Sequence, residues 1–488
     1  MTTRRTFIGG AAAGAVAIPM GALAARPAKP NLTFGVLSEP MLGYKFAYAK
    51  QPAMLEETLR FFRMQEVDAV AILGDIAHSG LISELAMFAD VWNKVFPSGH
   101  GKGGSKVELL AVTGEHDAFG WTNRWKNVPE SEQAKTRLNY GDNLKKAWKE
   151  HLHLDWELIW RKEVKGYAFI GLQDIGHFKP NIGEYFAKVG PTLKKHKPFF
   201  VLSHRYSAHA GANLDYCDTG SSYLAKTLSP YPNAVLISGH MPRSLADERS
   251  VWQDGYTAIN AGSYYRATAD FANENMSEPW HQSYKTHVMC ADKELMGQGG
   301  ALLVQAYDDH VNVQRLHVPS ECKQQLGPAW NLPVPAQHGG AFELGKRKTA
   351  RRPPQFPITA KLEVEFCPNG HPDLSPSFKD KPCYCVTIPF AKTVKSQRSG
   401  ESCRVFEYVV TARTEGKQPV VRRLLAKGAT LPESMANLPT KCLFAASELA
   451  EGQQIKFSAV PRECFGLEGK AITKIFLPQS GADTGKRR

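Results

Sequence analysis

An α/β layered domain followed by an all-β sandwich is the architecture the sequence predicts, on three observations. From residue 31 to about 239, short apolar runs rich in β-branched residues alternate with longer stretches of helical periodicity, the pattern of strands packed under helices. From about residue 358 onward only strand-like segments follow, at short spacing. The length of 488 residues exceeds one average domain, and 43% apolar with 22% charged residues is ordinary globular composition.

The strand candidates of the first part are 32–37, 67–73, 107–112, 167–172, 199–202 and 234–237; the helical ones are 52–66, 81–95 and 131–151. Residues 256–261 continue as strand, and 301–306 with 311–318 flank Tyr307-Asp308-Asp309, a hairpin signal. The stretch 321–354 is rich in Pro, Gly and Lys/Arg, has no periodicity and reads as a linker. Segments 358–366, 384–390, 405–411, 420–425, 441–444, 455–460 and 471–476 then fill a domain at 355–478, with clear alternation in Ile455-Lys456-Phe457-Ser458-Ala459. Seven short strands over that length predict a β-sandwich of immunoglobulin or fibronectin type III kind. The stretch Glu463-Cys464-Phe465-Gly466-Leu467-Glu468-Gly469-Lys470 is similar to the turn before the last fibronectin type III strand.

The net charge of +13 is local. Residues 341–488 hold 25 Lys/Arg against 14 Asp/Glu, whereas the first 340 residues are nearly balanced. An anionic partner is therefore a question for the C-terminal part, including a basic tail at 479–488, with an anionic envelope polymer the partner considered. Nucleic acid is not predicted, because the aromatic-interleaved basic stripe of such binders is absent there. At the amino terminus, Thr3-Arg4-Arg5-Thr6-Phe7-Ile8, a Gly/Ala-rich apolar run and Ala22-Leu23-Ala24 resemble a twin-arginine export signal over 1–24. The run is shorter than the ~20 residues a bilayer requires, so no transmembrane anchor is predicted, and the resemblance implies a periplasmic or secreted protein. Six of the nine cysteines lie in the last 122 residues, where an oxidising compartment makes disulfides plausible, and an odd total leaves at least one thiol over. No CxxC pair marks a zinc site.

Chemistry-bearing residues gather where strands end. Leu73-Gly74-Asp75, Thr113-Gly114-Glu115-His116-Asp117, Leu202-Ser203-His204 and Ser238-Gly239-His240-Met241-Pro242 each follow an apolar run. Loops at the carboxyl edge of an α/β sheet converge on ligands, and imidazole nitrogen with carboxylate oxygen is a donor set for a divalent ion.

That order resembles the calcineurin-like metallophosphoesterase family, whose motifs read D-x-H, G-D, G-N-H-D/E, a lone H and G-H-x-H. The resemblance covers roughly residues 31–320 and implies a four-layer α/β/β/α sandwich built round two metals. It assigns Asp75 the bridging position, His204 the lone histidine, His240 the first histidine of the last motif, and His116 with Asp117 the pair that protonates the leaving group. The chain departs from the family in three places. Glu39-Pro40-Met41 stands for D-x-H, Glu115 for the asparagine, and Pro242 for the last histidine. One metal position keeps Asp75, Glu115, His204 and His240. The other keeps only Glu39 and Asp75, since thioether is a poor ligand for such cations.

The expectation is one divalent ion, Zn, Mn or Fe, and an exported phosphoesterase acting on phosphate mono- or diesters. Arg205 and Arg243 are candidates for substrate binding in place of the lost ion, and His78 a weaker candidate for the vacated position. Two competing readings are a binding or scaffold protein of the cell envelope without turnover, and recognition of an anionic polymer by the C-terminal part. Trp121, Trp125, Trp148, Trp156 and Trp160 read as core or a cap over the site, His151 and His153 as helix-end residues, and Gly101-Lys102-Gly103-Gly104 as a loop.

Overall fold

A computed structural model describes residues 29–43, 51–119, 128–173, 181–205, 221–240, 244–264, 299–371, 378–396 and 402–478. The twin-arginine segment, the basic tail, Arg243, Trp121 and Trp125 lie outside the described residues.

The chain enters through β1 (Leu32–Leu37), α1 (Gln51–Met64), β2 (Ala69–Leu73), α2 (Ile82–Val95) and β3 (Glu108–Val112). After α3 (Glu115–Phe119), α4 (Glu130–Thr136) and α5 (Asn143–Leu152) come β4 (Ile159–Val164), β5 (Tyr167–Leu172), α6 (Ile182–Val189), β6 (Phe199–Ser203), α7 (Ser221–Leu228), β7 (Ala234–Ser238), β8 (Val251–Gln253) and β9 (Thr257–Asn260). It then continues as β10 (Gly300–Ala306), β11 (His310–His317) and β12 (Trp330–Pro333). Two six-stranded sheets result, ordered β12-β11-β10-β1-β2-β3 and β4-β5-β6-β7-β9-β8. Strands β1-β2-β3 and β5-β6-β7-β9 run parallel, with antiparallel neighbours at the margins.

Alternation along β2 explains the packing, because successive side chains point to opposite faces. Val70 and Ile72 join Leu55, Leu59 and Phe62 of α1, Phe88 and Trp92 of α2, and Trp148 of α5. Ala69, Ala71 and Leu73 join Phe34, Phe169, Phe200, Val235 and Ile237 in a cluster drawn from both sheets. There Phe34 meets Phe169 and Phe200 edge to face, with centroids 5.2 and 4.8 Å away. On the far side of the second sheet, Ile170, Val201 and Leu236 pack with Ile182, Phe186, Leu224 and Leu228. Among the described residues no helix is long and apolar enough to cross a membrane.

Three elements depart from expectation. The helix anticipated over 131–151 is two helices, interrupted where Leu138 N donates to Gly80 O and Gly141 takes φ +52°. Strand β4 was not legible because its solvent-facing charges, in Ile159-Trp160-Arg161-Lys162-Glu163-Val164, blur the apolar run. The stretch 321–354, expected as a linker, contributes β12 to the first sheet and a helix, α8 (Leu344–Ala350). Its arginines reach inward: Arg347 toward Glu248 (3.4 Å), and Arg351 onto Glu463 (2.6 Å).

The remaining strands are β13 (Glu363–Cys367), β14 (Cys383–Ile388), β15 (Val394–Lys395), β16 (Ser402–Cys403), β17 (Glu407–Arg413), β18 (Val420–Leu425), β19 (Thr440–Ala445), β20 (Ile455–Arg462) and β21 (Ile472–Phe476). They form a three-stranded sheet β13-β14-β19 and a four-stranded sheet β18-β17-β20-β21, with β15 and β16 as a separate pair. Tyr384, Val386 and Phe444 from the first meet Tyr408, Val410 and Phe457 from the second in one core. This C-terminal part is all-β in its sheets, and the part before it is an α/β core.

Candidate metal centre

Five strand ends deliver the site. Glu39 follows β1, Asp75 follows β2, Glu115 and His116 open α3 after β3, and His204 and His240 follow β6 and β7. The loop after β1 stays paired to the loop after β2, with Glu39 N on Gly74 O (3.2 Å) and Met41 N on Asp75 O (2.9 Å). Glu39, Asp75 and His240 all take positive φ, at 54°, 53° and 67°. Such backbone costs non-glycine residues energy and collects at functional sites. Gly114 is required by proximity, since a Cβ there would fall 2.2 Å from Asp75 Oδ1.

The side chains form a row. Asp75 Oδ2 lies 3.3 Å from His204 Nε2, which lies 3.2 Å from His240 Nδ1, which lies 3.6 Å from Glu115 Oε2. Asp75 Oδ1 accepts from His116 N (2.8 Å). His204 Nδ1 faces the Leu73 carbonyl at 2.7 Å; a carbonyl only accepts, so Nδ1 carries the proton and Nε2 is turned toward Asp75. Burial pushes the Asp75 carboxyl up, but the His204 imidazole overrides it and holds it below the usual carboxylate range. His204 is the converse: burial lowers it, and the Asp75 charge overrides that and raises it. His240 is pushed down by burial and by the neighbouring His204 charge.

The donor types fit a divalent ion. Imidazole nitrogen and carboxylate oxygen are donors such an ion would accept, and the three links of the row, at 3.3, 3.2 and 3.6 Å, bring four of them next to one another. As they stand, no three His, Cys, Asp or Glu side chains among the described residues are grouped to hold a metal. Closing the row requires movement, and its two ends differ in freedom to move. The His204 and Asp75 side chains are 0% and 4% exposed, those of His240 and Glu115 19% and 38%.

The structure places the other sequence candidates as follows. His116 Nδ1 lies 2.7 Å from the His78 carbonyl, and the two imidazoles stack. Asp117 does not hydrogen-bond the His116 ring; its oxygens accept from Ala77 N (2.8 Å) and Gly114 N (2.9 Å). Burial, then the Asp75 charge, raises the Asp117 carboxyl to about 7. Asp117 thus ties two loops together. Arg205 Nη2 is 4.0 Å from Glu115 Oε2. Glu39 is buried and its charge reaches His204. Met41, where the family has its first histidine, lies in the apolar cluster with Leu42 and Leu55.

Three contributors were missed. Gln173 Oε1 accepts from Thr113 N (2.6 Å) and Thr113 Oγ1 (2.8 Å), and Asn260 Nδ2 donates to Gly239 O (3.3 Å) just before His240. The third is the Leu73 carbonyl. A polar residue closing an apolar strand was the available signal for Gln173 and Asn260; a backbone acceptor has none.

No family model matches the chain and no curated protein matches it significantly. Among solved structures, similarity is found to a dimetal phosphatase from Danio rerio (TM-score 0.37, 11% identity, 62% of this chain and 99% of that one). It is also found to a conserved uncharacterized protein, a predicted phosphoesterase, from Streptococcus pneumoniae (0.28, 12%, 62% and 97%). A purple acid phosphatase from yellow lupin seeds gives 0.37 and 11%, over 60% of this chain and 53% of that one. The chemistry of the site rests on its own residues.

Proposed function

We propose that this protein is a metal-dependent phosphoesterase that hydrolyses phosphate mono- or diesters with one divalent ion, of the calcineurin-like kind, and that it acts outside the cytoplasm after twin-arginine export. The observation that carries the reading is the row Asp75–His204–His240–Glu115, with links of 3.3, 3.2 and 3.6 Å, delivered by the ends of β2, β6 and β7 and the start of α3. These four residues would hold the ion, which supplies Lewis acidity toward the phosphoryl group. The burial of Met41 among apolar side chains supports loss of the second metal position.

The protein's own groups do the remaining work. Leu73 O fixes the His204 tautomer, and the His116 N–H orients Asp75. With Nδ1–H on the His78 carbonyl, His116 has Nε2 as the nitrogen that exchanges a proton with the leaving oxygen. Arg205, beside Glu115, brings positive charge to the phosphate. The clusters shared between the two sheets and between each sheet and its helices support the α/β/β/α layering, and the three-plus-four strand division supports the fibronectin type III-like reading of the C-terminal part.

A second reading, a binding or scaffold protein of the envelope without turnover, is favoured by one observation: Met41 and Pro242 stand where the resemblance places two histidine ligands of the second metal position. The test is metal stoichiometry of the purified full chain, with turnover of generic phosphomonoesters and phosphodiesters by wild type, Asp75→Ala and His204→Ala. About one ion per chain, with activity lost in both variants, supports the enzyme. No bound metal and no turnover sinks it in favour of the second reading.

A further inference from the structure

The outer face of the three-stranded sheet carries three thiols that the site does not use. Cys367 on β13 stands directly opposite Cys383 on β14 in the antiparallel ladder. Directly opposed residues in such a ladder have Cα atoms about 4.5 or 5.5 Å apart, and both spacings fall in the ~4.4–6.8 Å window a disulfide spans. The two side chains point to the same face and lie in the same cluster. That small cluster includes Cys385, Leu443 and Phe378 and is separate from the core of the sandwich.

Among the described residues, the other nearby thiols lack this geometry. Cys385 stands opposite Glu365 and Leu443, and Cys442 stands opposite Val386 and belongs to the core. Cys383 and Cys385 lie two apart on one strand with near-parallel Cα–Cβ directions, which places their sulfurs side by side along the strand.

We propose that Cys367 and Cys383 form a cross-strand disulfide when the protein meets a small-molecule disulfide oxidant, stapling β13 to β14. Cys367 is partly exposed and Cys383 is buried, so Cys367 is the point of entry. Its thiolate attacks one sulfur of the oxidant, breaking that S–S bond and expelling one thiolate. The Cys383 thiolate then attacks the Cys367 sulfur of the mixed disulfide and expels the second. Two protein thiols lose two electrons and two protons, and the oxidant is reduced to two thiols. Burial holds the Cys383 thiol up at about 12, which makes the second step the slower one.

The test uses the full chain incubated with glutathione disulfide or with dithiothreitol, then denatured, alkylated and mapped by mass spectrometry. After oxidation the peptides bearing Cys367 and Cys383 are expected joined, two hydrogens lighter than their sum, with Cys385 alkylated. Cys385→Ser is expected to leave the joined species unchanged, and Cys367→Ser to abolish it. The oxidised wild type is expected to unfold at higher temperature than the reduced form, a shift that Cys367→Ser removes. Full alkylation of both cysteines after oxidation, or a Cys367–Cys385 linkage, overturns the proposal.

Discussion

His116 and His78 are held together twice: the Nδ1–H of His116 donates to the His78 carbonyl across 2.7 Å, and the two rings stack with centroids 5.3 Å apart. The bond fixes the tautomer, since the carbonyl cannot donate. His116→Gln is therefore expected to lower turnover by about 10²–10⁴-fold. The contact from His116 to Asp75 is made by the backbone N–H, so metal content should be unchanged. Parallel measurement of kcat and metal stoichiometry checks both halves; unchanged turnover would refute the proton-transfer role.

Asp117 joins the loops after β2 and β3 through Ala77 N and Gly114 N. Asp117→Asn keeps one acceptor and turns an NH2 donor toward the other amide. A loss of about 1–3 kcal/mol is expected, read from the midpoint of urea unfolding. A variant as stable as wild type would show that the two amide bonds contribute nothing.

Gly114→Ala would put a methyl 2.2 Å from Asp75 Oδ1, closer than real carbon contacts allow. Displacement of Asp75 is expected, with metal affinity and turnover falling together. An unaltered affinity measured by metal titration would contradict the close approach of these loops.

Glu248 lies between the α/β core and the segment that follows it, accepting from Arg315 Nη2 and Trp330 Nε1, each at 2.8 Å, with Arg347 Nη2 at 3.4 Å. Glu248→Ala leaves two buried guanidiniums without their counter-charge, and a loss of about 3–5 kcal/mol is expected. Burial pushes the Glu248 carboxyl up, yet Arg315 and Arg347 outweigh it and hold it below the ordinary value. Its contribution is therefore complete above the unfolded value of about 4.3 and disappears as pH falls through the folded value. Thermal midpoints recorded downward from pH 5 should fall less steeply in Glu248→Gln than in wild type.

Much of the α/β core was legible because its strands are short apolar runs closed by Gly-Asp, Gly-Glu-His or Gly-His, and those closures are where Asp75, Glu115, His116 and His240 stand. The seven strands of the C-terminal sheets were legible for a similar reason, through alternation such as that of β20. What escaped depends on partners far along the chain. Arg315 and Arg347 meet Glu248 across separations of 67 and 99 residues, and no local pattern encodes a buried ion pair. That Asp117 also ties two loops together escaped because backbone amides look alike in every sequence. The basic surplus of 341–488 reads as surface charge in a sequence, but Arg347, Arg351, Arg404 and Arg422 are buried. Part of that charge is thus not presented to solvent for an anionic polymer.

Arg351 leaves the end of α8 and inserts between Glu463 and the Ser402 carbonyl, while Arg404 reaches back to Leu326 O. The C-terminal part is for this reason no interchangeable cassette. Grafting it behind another protein would carry Glu463 without the Arg351 guanidinium that donates to it, and ending the chain at residue 354 would take Glu463 and the Ser402 carbonyl away from Arg351. A cut at the boundary would therefore break buried charged contacts on both of its sides at once.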